Sequence, residues 1–405
     1  MVGGPAAGVR SRPFGLLLGA WAVSSVGDGI RAAALPLFTA VSTRDPVAVS
    51  AVAAATVLPW LLVALPAGAV VDRWRPRHAL ICAHAFRCAV TFALAALIHT
   101  GKAGLPALLV CGFLLSSAET FADSAGQTLL VSLAGSAELE RANGRFVSVE
   151  TAGVEIAGPL AAAALFAWDP ALCFAANALA LGLALLLVIA VPGQAAPVQE
   201  RDATSLRAEV LAGLRFLVRS PGLRAVVGVV GVTALLTSGV NAVAFLFAIE
   251  SLRLPAASVP TLLVCTAIGT LLAAPVASRL AGRLGGGSVM IGALFVLAAG
   301  IALLGVVRAP GGAWLAYFVM GLGAGAWNVL SAANRQRLTP RRMMGRVTSA
   351  HRVLAWGLMP LGAALAGPLA EATSLRAVIL GAALLTAAVA IAAAPRLRGV
   401  SQPKR

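Results

Sequence analysis

The chain has 405 residues, of which 60% are hydrophobic and 11% charged, with a mean hydropathy of +0.92. A soluble domain carries about 25% charged residues, so the composition excludes a soluble globular protein and predicts an all-α integral membrane protein. The formal charge of +16 does not indicate nucleic acid, because the basic residues are scattered between apolar segments with no patch and no aromatic–basic interleaving.

Gly, Pro and charged residues punctuate the apolar stretches, whose lengths of roughly 20 residues suit spanning helices. The first predicted helix, 14–40, follows Arg10 and Arg12. Its apolar run is too long for a signal core and no small-residue cleavage site follows, so it is expected to stay as an uncleaved anchor. Ser24, Asp28 and Arg31 share one of its faces by i,i+3 and i,i+4 spacing. Helices are predicted next over 48–71 and over 78–99, the latter holding Arg87. The segment 105–131 places Glu119, Asp123 and Gln127 on one face, and 144–167 does the same for Thr151 and Glu155. After 170–191 comes the longest gap, 192–222. Leu206, Val210, Leu214 and Leu217 recur there at helical spacing with Arg207, Arg215 and Arg219 between them, the pattern of an amphipathic helix at the membrane surface. Six more helices are predicted: 223–249 with Asn241, 257–280, 287–307, 312–334 with Trp327 and Asn328, 346–369, and 374–394.

The segment Gly144–Leu165 recurs as Gly345–Leu365, aligned without a gap at Gly144/Gly345, Arg145/Arg346, Ser148/Ser349, Pro159/Pro360 and Leu160/Leu361. A Gly-Arg at a helix start and a Pro inside a helix are backbone features and not composition. A period near half the chain predicts twelve transmembrane helices in two pseudo-symmetric six-helix bundles. The expected division is an N-terminal bundle over 1–191, a cytoplasmic linker over 192–222 and a C-terminal bundle over 223–405. Two such repeats around a midplane site are a common build for secondary transporters. With the N-terminus in the cytoplasm, 23 of the 31 Lys and Arg residues fall in cytoplasmic segments. Only Arg44, Lys102, Arg253, Arg308 and Arg376 are external, which predicts both termini inside.

Several chemistries find no support. The cysteines Cys82, Cys88, Cys111, Cys173 and Cys265 are odd in number and lack CxxC spacing, so they read as packing residues and not as disulfides or metal ligands. No G-x-x-x-x-G-K-[ST] is present, which excludes nucleotide hydrolysis through a P-loop. No nucleophile or His/Asp constellation points to an enzyme.

Gly68, Asp72, Arg73 and Arg77 follow the second predicted helix in an order that resembles the G-x-x-x-D-R-x-G-R-[RK] signature of the major facilitator superfamily, with Arg75 and Pro76 replacing its Gly-Arg. The resemblance extends over nearly the whole chain. SSVGDGI, ETFADSAGQ, ANGR and MPLGAALAGPLAE look like the efflux-type subgroup of enterobactin exporters and macrolide efflux pumps. It implies that Gly68, Asp72, Arg73 and Arg77 form a conformational latch. Gly158-Pro159 resembles the antiporter motif G-P-x-x-G-G, although Ala161 and Ala162 stand where the family has glycine. Family analogy also sets the first, fourth, seventh and tenth helices around a central cavity, and the family habit is a monomer in a bacterial inner membrane.

An ionisable side chain inside a bilayer is costly and by default marks a pathway or relay. Asp28, Glu119, Asp123 and Glu155 are the candidates for proton coupling, with Asp28 first and Glu119 second. Arg31 and Arg87 are their charge partners; the alternative is a set of buried ion pairs, such as Arg87 with Asp123 or Glu155, that only hold helices in register. Ser24, Asp28, Glu119, Gln127, Asn241, Trp327 and Asn328 are candidates for the substrate cavity, Trp327 equally for packing. The repeat sets Gln127 against Asn328, Glu150 against His351 and Glu155 against Trp356. The second half therefore keeps polarity but loses its intramembrane acids. The expected function is export of amphipathic small molecules (drug, siderophore or secondary metabolite) by alternating access as a proton antiporter. It needs no metal and no cofactor beyond the proton gradient. Import or facilitated passage of a small solute is the alternative.

Overall fold

A computed structural model describes residues 8–135, 138–192, 214–340 and 343–400, apart from a few helix side chains that include Asp72, Arg73, Arg352 and Trp356. The described residues are helical with no strand. The helices are α1 (Arg12–Thr43), α2 (Pro46–Leu62), α3 (Ala64–Arg73), α4 (Pro76–His99), α5 (Leu105–Ala134), α6 (Leu139–Thr151), α7 (Gly158–Phe166) and α8 (Pro170–Ala190). A short helix α9 covers 214–219. It is followed by α10 (Pro221–Glu250), α11 (Thr261–Leu284), α12 (Gly286–Val306), α13 (Gly312–Leu338), α14 (Met344–Ala372) and α15 (Leu375–Val400). Among the described residues nine helices are long and apolar enough to cross a membrane, and Pro46–Leu62 is apolar but shorter.

Every predicted helix falls on observed helix, with two local departures. The segment predicted as one helix over 48–71 is interrupted at Val63, between α2 and α3. Pro66 causes the interruption: it has no N–H for the carbonyl of Leu62, and its ring crowds that carbonyl. The second departure lies between α6 and α7, where Ala152–Ala157 forms a π-helical turn just before Pro159. Of the predicted linker, residues 193–213 lie outside the described residues. In α9, Leu217 is buried in a cluster with Leu223, Val227 and Ala350.

The chain divides into two compact units, Met1–Phe38 with Leu58–Arg201 and Thr39–Val57 with Asp202–Arg405. In the first, α4 packs along α8 and α5. Its apolar core gathers Phe14, Leu17, Trp21, Leu80, Leu130 and Phe146, with the Trp21 and Phe146 rings 5.1 Å apart. Arg145 of the repeated Gly-Arg donates to the carbonyl of Val9 at 3.1 Å, tying the start of the chain to α6. In the second unit, α13 packs between α11 and α12, while α10 packs on α14 and α15. Gly321 and Gly325 make a small-xxx-small stripe that lets α13 lie against the backbone of α11. A Cβ on Gly325 would sit 2.6 Å from the carbonyl oxygen of Thr270. The hydroxyls of Thr266 and Thr270 donate across this seam to the carbonyls of Tyr317 and Gly321, each at 3.2 Å.

Candidate functional site

The membrane-buried acids gather in the first unit. Asp28 sits in the sequence Gly27-Asp28-Gly29 on α1, and both glycines are there for close approach. A Cβ on Gly27 would come 2.7 Å from Oδ1 of Asn177 on α8, and one on Gly29 would come 2.7 Å from the carbonyl oxygen of Val154. One turn away, a Cβ on Gly158 would lie 2.5 Å from the Cα of Gly29. Gly158 and Gly29 thus bring α7 and α1 into backbone contact at the level of Asp28. The π-turn that holds Glu155 abuts the same crossing, since Gly153 packs on Ser25.

Arg87 of α4 is fully buried and pairs with Asp28, and neither Asp123 nor Glu155 is its ion-pair partner among the described residues. Arg31, one turn beyond Asp28, instead reaches Glu119 of α5 at 2.6 Å. The two pairs are cross-linked helix to helix and are nearly dry: side-chain exposures are 2% and 14% for Arg87 and Asp28, and 7% and 19% for Arg31 and Glu119. Each arginine keeps a buried Nε with no acceptor among the described residues.

Asp123 follows Glu119 by one turn on α5 and is half-buried. It lies within electrostatic range of Glu119, Arg87, Asp28 and Glu150, yet it forms no ion pair or hydrogen bond among the described residues. Two arginines therefore face three carboxylates, and two of those are matched one to one. Glu150 and Glu155 are exposed, and Glu150 accepts a hydrogen bond from the Trp21 indole at 3.3 Å. Ser24 is buried and turns its hydroxyl back to the carbonyl of Trp21 at 3.1 Å, while Gln127 is exposed. No cluster of three or more His, Cys, Asp or Glu side chains suited to a metal occurs among the described residues.

Sequence reasoning missed several buried polar side chains on the helices of this unit. His84 and Thr91 on α4, Ser116 on α5 and Asn177 on α8 are all buried. His84 Nδ1, the hydroxyls of Thr91 and Ser116, and both amide atoms of Asn177 have no partner among the described residues. Their signal was available: each is a polar residue inside an otherwise apolar helix, and on α4 the positions 84, 87 and 91 share a face with Arg87.

The other candidates lie apart. In the second unit Asn241 and Asn328 are exposed. Trp327 is 4% exposed in a core with Val226, Met290, Leu330 and Ala390, which is the position of a packing residue. At the start of α4, Arg77 donates to the carbonyl of Ile189 at 2.6 Å. The side chains of Asp72 and Arg73 lie outside the described residues. A Cβ on Gly68 would meet no described atom within 4 Å.

Comparison with known proteins bears on this arrangement. A sequence profile of the Major Facilitator Superfamily matches residues 17–361. The multidrug efflux pump Tap of Mycolicibacterium fortuitum is 28% identical over 422 aligned positions, covering 95% of this chain and 96% of Tap. Among solved structures, the nucleoside transporter NupG superposes with a TM-score of 0.74 at 13% identity, over 94% of this chain and 98% of NupG. A bacterial homologue of the human lysosomal transporter Spinster, in an inward-facing and unoccupied conformation, gives 0.73 at 12% identity over 98% and 100%. A POT family transporter in complex with 5-aminolevulinic acid gives 0.75 at 12% over 98% and 99%. At such identities the structural likeness speaks for the fold alone.

Proposed function

Since this chain belongs to the major facilitator superfamily, a family of membrane transporters and not of enzymes, we propose that it exports amphipathic small molecules by alternating access in exchange for protons. In this reading twelve transmembrane helices form two six-helix bundles, the protein works as a monomer in a bacterial inner membrane, and both termini face the cytoplasm. The nearly full-length likeness to Tap, named a multidrug efflux pump, supports export of drug-like compounds.

The observation that carries the coupling is the charge balance of the buried cluster. Asp28, Glu119 and Asp123 oppose only Arg31 and Arg87. A net charge in a low-dielectric interior is costly, so the cluster is balanced with one proton bound and one charge out of balance without it. Asp123, the acid without an ion partner, is then the proton carrier in this state, ahead of Asp28. A cationic amphipathic substrate arriving near the cluster restores the balance as the proton leaves, which makes the exchange obligatory. A membrane potential of 100 mV supplies roughly 2.3 kcal/mol per proton, and each pH unit adds about 1.4 kcal/mol. One proton therefore supports a gradient of tens- to a few hundred-fold for an uncharged substrate, whereas exchange for a monovalent cation moves no net charge and keeps only the pH contribution, about tenfold per unit. Glu155, beside the crossing of α1 and α7, is a second position where a proton can be handed to water.

The test is accumulation of ethidium and of a macrolide in an efflux-deficient host, with and without a protonophore. Wild type is expected to lower accumulation, the protonophore to restore it, and Asp123→Asn to abolish the protonophore-sensitive part while the protein still reaches the membrane. Full proton-linked efflux in both Asp123→Asn and Asp28→Asn would overturn the assignment, and net uptake would favour an importer.

A further inference from the structure

A groove of about 290 Å³ runs between α10 and α15 of the second unit. Along α10 its wall is Arg224, Gly228 and Val232, spaced four residues apart, and along α15 it includes Val389, Ala392 and Arg396. The small residues keep the floor low. A Cβ on Gly228 would meet no described atom within 4 Å, so open space lies directly over that position. The two helices run antiparallel, so Arg224, near the start of α10, and Arg396, near the end of α15, stand at one end of the groove. That end is the one predicted to be cytoplasmic. Between Arg224 and Val232 the channel extends about 12 Å along the helix axis.

Both arginines are exposed. Arg224 donates once, at 3.4 Å, to the carbonyl of Val218, and Arg396 has no hydrogen-bond or ion partner among the described residues. None of the residues lining the groove is acidic. Two exposed guanidinium groups with no acidic partner among the described residues thus cap an apolar, open-sided channel on helices long and apolar enough to cross a bilayer. Such pairing of a basic end with an apolar trough matches a phospholipid, whose phosphate is held by arginine forks while an acyl chain follows the trough. Basic pockets between spanning helices on the cytoplasmic side are a recognised route to anionic lipid binding.

We propose that Arg224 and Arg396 bind the headgroup of an anionic phospholipid of the inner leaflet, with one acyl chain lying over Gly228 and Val232. This goes beyond the transport reading and stands whether or not the protein exchanges protons. The experiment is native mass spectrometry of the purified full-length protein with phosphatidylglycerol or phosphatidylcholine of identical chains. Wild type is expected to retain phosphatidylglycerol preferentially, by about fivefold for each arginine. Arg224→Gln with Arg396→Gln should bring retention down to that of phosphatidylcholine. Arg398→Gln, a neighbouring exposed arginine that does not line the groove, should leave it unchanged. Gly228→Leu keeps both charges and places its side chain in the space over Gly228, where a Cβ meets no described atom within 4 Å, so it should lower retention while the thermal midpoint stays near wild type. Equal retention of the two lipids by wild type, or undiminished phosphatidylglycerol binding in the double variant or in Gly228→Leu, would overturn the proposal. Displacement of the lipid by equimolar glycerol phosphate would also overturn it, by reducing the site to a small-anion site.

Discussion

The first unit holds its helices together around charge, and the second holds its helices together around small residues. In the first, Arg87–Asp28 and Arg31–Glu119 link α1 to α4 and α5 in a nearly dry interior. In the second, α13 meets α11 through Gly321, Gly325 and two threonine hydroxyls, and the ion pair Arg44–Glu250 is largely exposed at 71% and 33%. Lipid gives helices little hydrophobic reason to associate, so close backbone packing and polar contacts have to do so. Small-residue packing achieves this without leaving anything titratable. Buried ion pairs contribute little net stability, so their presence among the described residues of the first unit marks that unit as a place where charge is used.

Removing a charge from the first unit is the severest way to break this contrast. Arg87→Leu leaves Asp28 buried without its partner, and a loss of about 3–5 kcal/mol is expected, read as a fall in the thermal midpoint of the purified protein. Adding Asp28→Leu should recover most of that stability while transport stays lost. If the double variant were as unstable as the single one, the pair would not be the cause. The next effect is steric. Gly158→Val drives a branched side chain into the backbone of Gly29, at a cost of about 1–3 kcal/mol or more, whereas Gly228→Ala, over open space, should be silent in the same melt. A silent Gly158→Val would mean that α1 and α7 do not touch at Asp28. Asp123→Asn ranks third in stability, with a shift in midpoint too small to matter, and yet it should remove proton coupling. That split between folding and function sharpens the contrast most. Smallest is Glu250→Gln. An exposed pair contributes about 0–1 kcal/mol, so melting and efflux should stay near wild type, and a large loss would show that the second unit also depends on charge.

The repeated segments make a second comparison. Gly144–Leu165 and Gly345–Leu365 both carry a proline at the matching place, Pro159 and Pro360, but only the first contains a π-turn, while α14 runs through Pro360 as α-helix. The missing N–H is common to both, so proline alone does not set the turn. Both segments also press on a neighbouring backbone, Gly153 and Gly158 on α1 and Gly362 on α10, so close packing by itself does not set the turn either.

Much of the molecule was legible in the residues themselves. Apolar length and Gly/Pro punctuation located the helices to within a few residues, because a spanning helix must satisfy its own backbone hydrogen bonds and so declares itself locally. The acids and arginines of the candidate site were legible for a related reason: a charge inside an apolar run is conspicuous in the sequence. Pairing was not. Asp28 and Arg31 are neighbours on one helix, yet each pairs with a different helix, Asp28 with Arg87 of α4 and Arg31 with Glu119 of α5. Burial of Asn177 and His84, the packing role of Trp327, and the grouping of residues 39–57 with the second unit were likewise decided in three dimensions. The sequence by itself determined that this chain lies in a membrane, where its helices run and which side chains carry charge there, since those follow from local composition and period. Only the tertiary structure decided which carboxylate is left without a cation and which arginines frame an open groove, because those depend on the angles and distances at which helices far apart in the chain cross.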